Sequence, residues 1–186
     1  MKLKLFFPLI IAFLIWSACH SESEVASNNQ PVTDFADQES WDATLTTTSH
    51  GKISSKIHYS HMEKYSKRKL VKFHDGVEID FYDEDGNLTS NVHSDRAVLN
   101  ERSNNIELIG NVVVKSKNGI NLNTQKLIWN ESKDKVFSEE LVTVITAEND
   151  TLYGTGFEAD KDLKNWTLKK PSGYTQKNLN IRVSEQ

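Results

Sequence analysis

A single cysteine, Cys19, stands in the 186 residues. That excludes an internal disulfide and any metal cluster built on cysteine. Past Ser40 no segment carries an extended i, i+3, i+4, i+7 apolar stripe, so nothing marks a long amphipathic helix. No apolar run reaches the roughly twenty residues of a bilayer-spanning helix. There is no G-x-x-x-x-G-K-[ST] nucleotide loop and no G-x-S-x-G nucleophile elbow. A formal net charge of −4 lacks the basic surface that nucleic acid demands. These absences leave no catalytic residues, no cofactor and no metal to expect, and no nucleic acid as a partner.

The N-terminus reads as an export signal: Lys2 and Lys4, an apolar run from Leu5 to Ala18 broken by Pro8 and Ser17, then Cys19. Ser17-Ala18-Cys19 is similar to a lipobox, with Trp16 where leucine is usual. The attachment is thus a lipidated Cys19 after cleavage or, alternatively, an uncleaved N-terminal segment. Loss of Lys2 and Lys4 with the signal takes the charge from −4 to −6. From His20 to Gln38 the chain is rich in Ser, Asn, Glu and Asp, too polar to bury a core. The expected organisation is a signal peptide (1–18), a lipidated tether (19–45), one β domain (46–170) and a C-terminal tail (171–186).

From Gly51 onward the apolar period is two, as in strands with one buried face. Ile53, Ile57 and Tyr59 alternate with Ser54, Lys56 and His58. Val77, Ile79 and Phe81 alternate with Glu78, Asp80 and Tyr82. Ile106, Leu108, Gly110, Val112 and Val114 form a third set, followed by Ile120, Leu122 and Thr124, then Val142, Val144 and Thr146. Asp75-Gly76, Asp85-Gly86-Asn87, Asn118-Gly119 and Glu148-Asn149-Asp150 supply turn chemistry between them. The expectation is an all-β antiparallel meander.

The chain also repeats itself. Ser94-Asp95-Arg96-Ala97-Val98-Leu99-Asn100 aligns with Thr124-Gln125-Lys126-Leu127-Ile128-Trp129-Asn130, and Val112 and Val114 align with Val142 and Val144. Gly156-Phe157-Glu158-Ala159-Asp160 offers a third copy, and Asp75-Gly76-Val77 set against Gly110-Asn111-Val112 suggests an earlier one. Repeats of about 30 residues in a β-rich chain mean stacked strand pairs that share one core.

At Ile106-Glu107-Leu108-Ile109-Gly110-Asn111-Val112-Val113-Val114, then Gly119, Leu122-Asn123-Thr124, Leu127-Ile128-Trp129 and Gly154-Thr155-Gly156-Phe157-Glu158-Ala159-Asp160, the sequence resembles the LptC family. The resemblance implies a twisted, partly open β-jellyroll-like stack enclosing an apolar groove. It implies a lipopolysaccharide transfer protein at the periplasmic face of the inner membrane. Such a protein receives lipid A acyl chains from the inner-membrane ABC transporter of the Lpt system. It passes them by edge-strand pairing to a periplasmic LptA-like bridge protein. An acyl chain of a dozen carbons in such a groove gains about 10 kcal/mol gross, at about 0.8 kcal/mol per CH₂.

Ile57, Tyr59, Phe73, Val77, Ile79, Phe81, Leu108, Val112, Val114, Leu122, Val142 and Val144 are the candidate groove lining; the plainer reading has them fill a closed core. Gly110, Gly154 and Gly156 are candidate bends, where glycine inside a strand marks a bulge or a close approach. His58 and His61 fall on opposite faces of a regular strand, which argues against a metal pair. Asp83, Asp85 and Asn87 lack the closing glutamate of a calcium loop and read as a hairpin turn. The expected C-terminal pairing edge is Leu141 to Thr146 and Trp166 to Lys169. The rivals are a structural or scaffold β-repeat lipoprotein at the cell envelope and a glycan hydrolase with facing carboxylates.

Overall fold

The computed structural model describes residues 35–174. The expected signal peptide, the lipidated Cys19 and most of the tether and tail lie outside the described residues. The strands are β1 (Gln38–Ser49), β2 (Lys52–Tyr65), β3 (Leu70–Tyr82), β4 (Leu88–Ser94), β5 (Arg96–Asn100), β6 (Asn105–Ser116), β7 (Asn121–Asn130), β8 (Lys135–Ile145), β9 (Thr151–Ala159) and β10 (Trp166–Tyr174). All pair antiparallel in one sheet of order β1-β2-β3-β4-β6-β7-β8-β9-β10, with β5 bridging β3 and β6. A 3-10 turn at Glu131–Lys133 is the only helical element among the described residues.

Two expected boundaries are corrected. Gln38 to Leu45, assigned above to the tether, belong to β1, which pairs along its length with β2. Composition misjudged this strand because it buries little: Thr44, Thr46 and Thr48 are exposed, and ladder hydrogen bonds rather than apolar contact hold it. At the other end β10 continues through Pro171 to Tyr174, opposite Gly154 to Thr151. A third correction concerns Asp75-Gly76, which is not a turn. It sits inside β3 as a bulge, with φ of 61° and 107°. The positive angles that suit a hairpin turn serve here to kink a strand.

That kink recurs in strand after strand. Pairing slips between Tyr59 and His61 in β2, Ile109 and Val112 in β6, Thr124 and Ile128 in β7, and Ser138 and Leu141 in β8. Asp95 separates β4 from β5 at the same level. The Gly76 amide donates to the Asp95 carbonyl (2.9 Å), and the Asp95 amide donates to that of Gly110 (3.0 Å). A line of bulges thus crosses the sheet and divides it into two walls. The valine-rich wall carries Ile57, Val77, Ile79, Val92, Val112, Val114, Leu122, Val142, Val144 and Leu152. The aromatic wall carries Phe73, Leu108, Trp129 and Phe157.

Contacts between strands that are not neighbours show the sheet folded over along this line. Phe81 of the first wall meets Trp129 of the second, ring centroids 6.5 Å apart. The buried residues of both walls form one cluster. The bend is one long side of the resulting sandwich, and the mouth, where the turns of both walls lie, is the other.

The 30-residue repeat has a physical meaning at the bend. In alternate strands the inward residues on either side of the kink are three apart rather than two. These pairs are Tyr59 and Met62, Ser94 and Ala97, Thr124 and Leu127, Gly154 and Phe157. Hydroxyls turned inward there bond carbonyls beside the kink. Ser94 Oγ donates to the Arg96 carbonyl (3.0 Å), and Thr124 Oγ1 to those of Leu141 (3.0 Å) and Lys126 (3.4 Å).

Candidate functional site

Every residue proposed for the groove lies on the inner surface of the sandwich. All are buried except Tyr59 and Phe81, which are partly buried and packed against the same cluster. Phe73 and Leu108 stand on the aromatic wall and the others on the valine-rich wall. Sequence periodicity missed much of the aromatic wall: Val71, Ala97, Leu127, Trp129, Val136, Phe157, Ala159 and Leu168 are equally buried. Their signal was present in the repeat, since Ala97, Leu127 and Phe157 occupy equivalent places. A strict period of two carried through the bend puts Ala97, Leu127 and Phe157 on the wrong face.

The interior is not sealed evenly. Leu45 of β1 faces inward opposite Ile57, yet it is 40 % exposed where Ile57 is 2 % exposed. At the β1 edge, therefore, the apolar interior reaches solvent. Toward β10 the corresponding side chains, Phe157 and Leu168, are fully buried.

The candidate bend glycines separate into two kinds. Gly110 and Gly156 have φ of 79° and 73° and sit at the kink itself. Gly154 has no positive φ; a Cβ there would lie 2.5 Å from the Lys170 carbonyl oxygen and 2.7 Å from the Leu168 side chain. It allows β10 to lie close against β9.

The histidine expectation is corrected by the same kink. Tyr59 and Met62 both point inward, so His58 and His61 share the outer face. His58 Nδ1 lies 2.8 Å from Thr44 Oγ1. His61 stacks on Trp41 with centroids 5.0 Å apart and rings 4° from parallel, and it lies beside His74. Glu39 and Glu63 accompany this pair, at 3.5 Å from His61 Nε2 and 3.2 Å from His74 Nε2 respectively. The hydroxyl of Tyr65 donates to Glu63 and, with His74, holds that carboxyl below its ordinary pKa against the opposing effect of burial.

Asp83 to Asn87 form a hairpin turn between β3 and β4. Asp83 Oδ1 accepts from the amides of Asp85 (3.0 Å) and Asn87 (2.8 Å), and the Asn87 bond leads in lowering the Asp83 pKa. The oxygens are spent on the turn, as in an Asx turn.

The sheet has two free edges among the described residues, where β1 pairs only with β2 and β10 only with β9. The expectation that Leu141 to Thr146 form an edge is corrected, since Leu141 to Ile145 of β8 are flanked by β7 and β9. Trp166 to Lys169 do lie in an edge strand. The two edges differ in chemistry. β10 carries Lys169, Lys170 and Pro171, residues that discourage pairing, whereas β1 has twelve residues with neither lysine nor proline.

A family model described as lipopolysaccharide-assembly, LptC-related matches residues 7–173. No curated protein matches the chain.

Proposed function

The chain belongs to the LptC family, whose role is lipopolysaccharide transport, and from that premise we propose that it carries lipid A acyl chains between its two walls. It takes them from the inner-membrane ABC transporter of the Lpt system and passes them to a periplasmic LptA-like bridge. It works by non-covalent binding, anchored at the periplasmic face of the inner membrane by lipidated Cys19 or an uncleaved N-terminal segment.

One observation supports this reading most: a single apolar interior runs between the walls from strand to strand and comes to the surface at the β1 edge, where Leu45 is exposed. Each CH₂ transferred into such an interior gains about 0.8 kcal/mol. The two edge strands, unpaired on their outer sides among the described residues, allow neighbouring β proteins to extend the sheet, and with it the interior. Transfer needs no chemistry from this chain, because the directional work falls to the transporter.

Photo-crosslinking residues placed one at a time at Tyr59, Phe81, Leu108 and Val112 in living cells test the proposal. Adducts carrying lipopolysaccharide are expected at these inward positions and not at the outward Glu78 and Lys115. Silence at all four, with folded protein present, would favour a filled core and a scaffold role.

A further inference from the structure

Six residues cross the mouth of the sandwich. The loop 160–165 joins β9 to β10 on the aromatic wall, yet its carbonyls are bonded to the opposite wall. Ser90 Oγ donates to the Lys161 carbonyl (3.1 Å), Ser116 Oγ to that of Asp162 (2.6 Å), and Asn118 Nδ2 to the same oxygen (3.3 Å). Ser90 is itself 1 % exposed. Between these tethers Leu163 points inward and is 1 % exposed, within the core cluster. It does so with φ of 56°, a left-handed conformation that leucine adopts at a cost.

The loop also has its own internal frame. The Asp160 amide donates to the Asn165 carbonyl, the Leu163 amide to that of Asp160, and Asn165 bonds the Asp160 carboxylate through its amide and Nδ2. Asp162 and Lys164 form an ion pair within it. The loop is therefore a small rigid piece, held to the far wall by three hydrogen bonds and one buried side chain. Among the described residues no ladder joins the walls along the mouth, so parting them there breaks none of the strand pairing.

We propose that this loop is a displaceable strap across the mouth, and that Leu163 holds the place an acyl chain takes. The inference rests on the lipid-binding reading above. Lipid and Leu163 exclude one another: an acyl chain reaching the β9–β10 end expels the leucine, the backbone at 163 relaxes, and the strap lifts. When the lipid leaves, Leu163 returns and keeps the empty interior dry. Because the strap leads directly into Trp166 of β10, its position is also felt at the edge strand.

The experiment locks the strap in the full chain. Ser116→Cys with Asp162→Cys is bridged by a short reducible bis-thiosulfonate reagent, the bridge is mapped by mass spectrometry, and binding of radiolabelled hexa-acyl lipid A is measured before and after reduction. Bridged protein is expected to bind about tenfold or more weakly than the same protein reduced, and Leu163→Ala about tenfold more tightly than the unaltered chain, by relief of competition. The bridged and reduced forms are one polypeptide, so a folding defect of the variant does not mimic the effect. Equal binding before and after reduction overturns the strap. A bridging effect with unchanged affinity in Leu163→Ala overturns the assignment of Leu163. Failure of the unaltered chain to bind lipid A overturns the lipid-binding reading, and the strap with it.

Discussion

Ser94, Thr124 and Gly154 stand at one place in successive repeats and answer one backbone problem in two ways. The first two bond a carbonyl beside the kink with a hydroxyl, while the third gives up its side chain so that β10 can approach. Gly154→Ala should therefore cost about 2 kcal/mol or more, through overpacking against the Lys170 backbone. Gly86→Ala, at φ 82° with open space around it, should cost only about 1 kcal/mol for the left-handed angle. Urea unfolding of the two variants checks the order, and a neutral Gly154→Ala would sink it. Glu63 carries a second expectation. Its folded pKa lies below the ordinary carboxylate value, chiefly through the Tyr65 hydroxyl. The stabilisation it gives is full above the ordinary Glu pKa and is lost as pH falls through the lowered one. Tyr65→Phe should raise the Glu63 midpoint in a carboxyl NMR titration and reduce the loss of stability in acid; an unmoved midpoint would assign the shift to His74.

At the scale of elements, the two edge strands decide how the chain meets its neighbours. β1 offers a long threonine-rich edge, and β10 a shorter one interrupted by Lys169, Lys170 and Pro171. Photo-crosslinkers at Thr46 and at Lys170 should give adducts with two different polypeptides, as head-to-tail sheet extension requires. The same neighbour at both sites, or a second copy of this chain, would contradict that arrangement. The strands were legible where one face is buried and the period of two runs unbroken, as in Val77 to Phe81. β1 was not, because an edge strand held by its ladder needs no apolar alternation. Asp75-Gly76 misled for a related reason: positive φ serves a bulge as well as a turn, and residue type alone does not say which.

For the molecule as a whole, one buried cluster spans both walls, so the folded unit should unfold as one. Leu122, fully buried at its centre, should lose about 2–5 kcal/mol on replacement by alanine and still show a single transition by circular dichroism and tryptophan fluorescence. Separate transitions for the two probes would mean that the walls are independent. The β class, the 30-residue repeat, the turns at Asp83–Asn87 and Asn118-Gly119, and the resemblance to the LptC family were all determined by the sequence itself. They depend on local alternation, turn chemistry and short strings in fixed order. Only the tertiary structure decided that alternate strands shift phase at the bend, that His58 and His61 share a face, that β8 is flanked by β7 and β9, and that Leu163 closes the mouth. Each of these depends on a slip in register or a contact between distant segments, and a period counted along the chain carries no record of either.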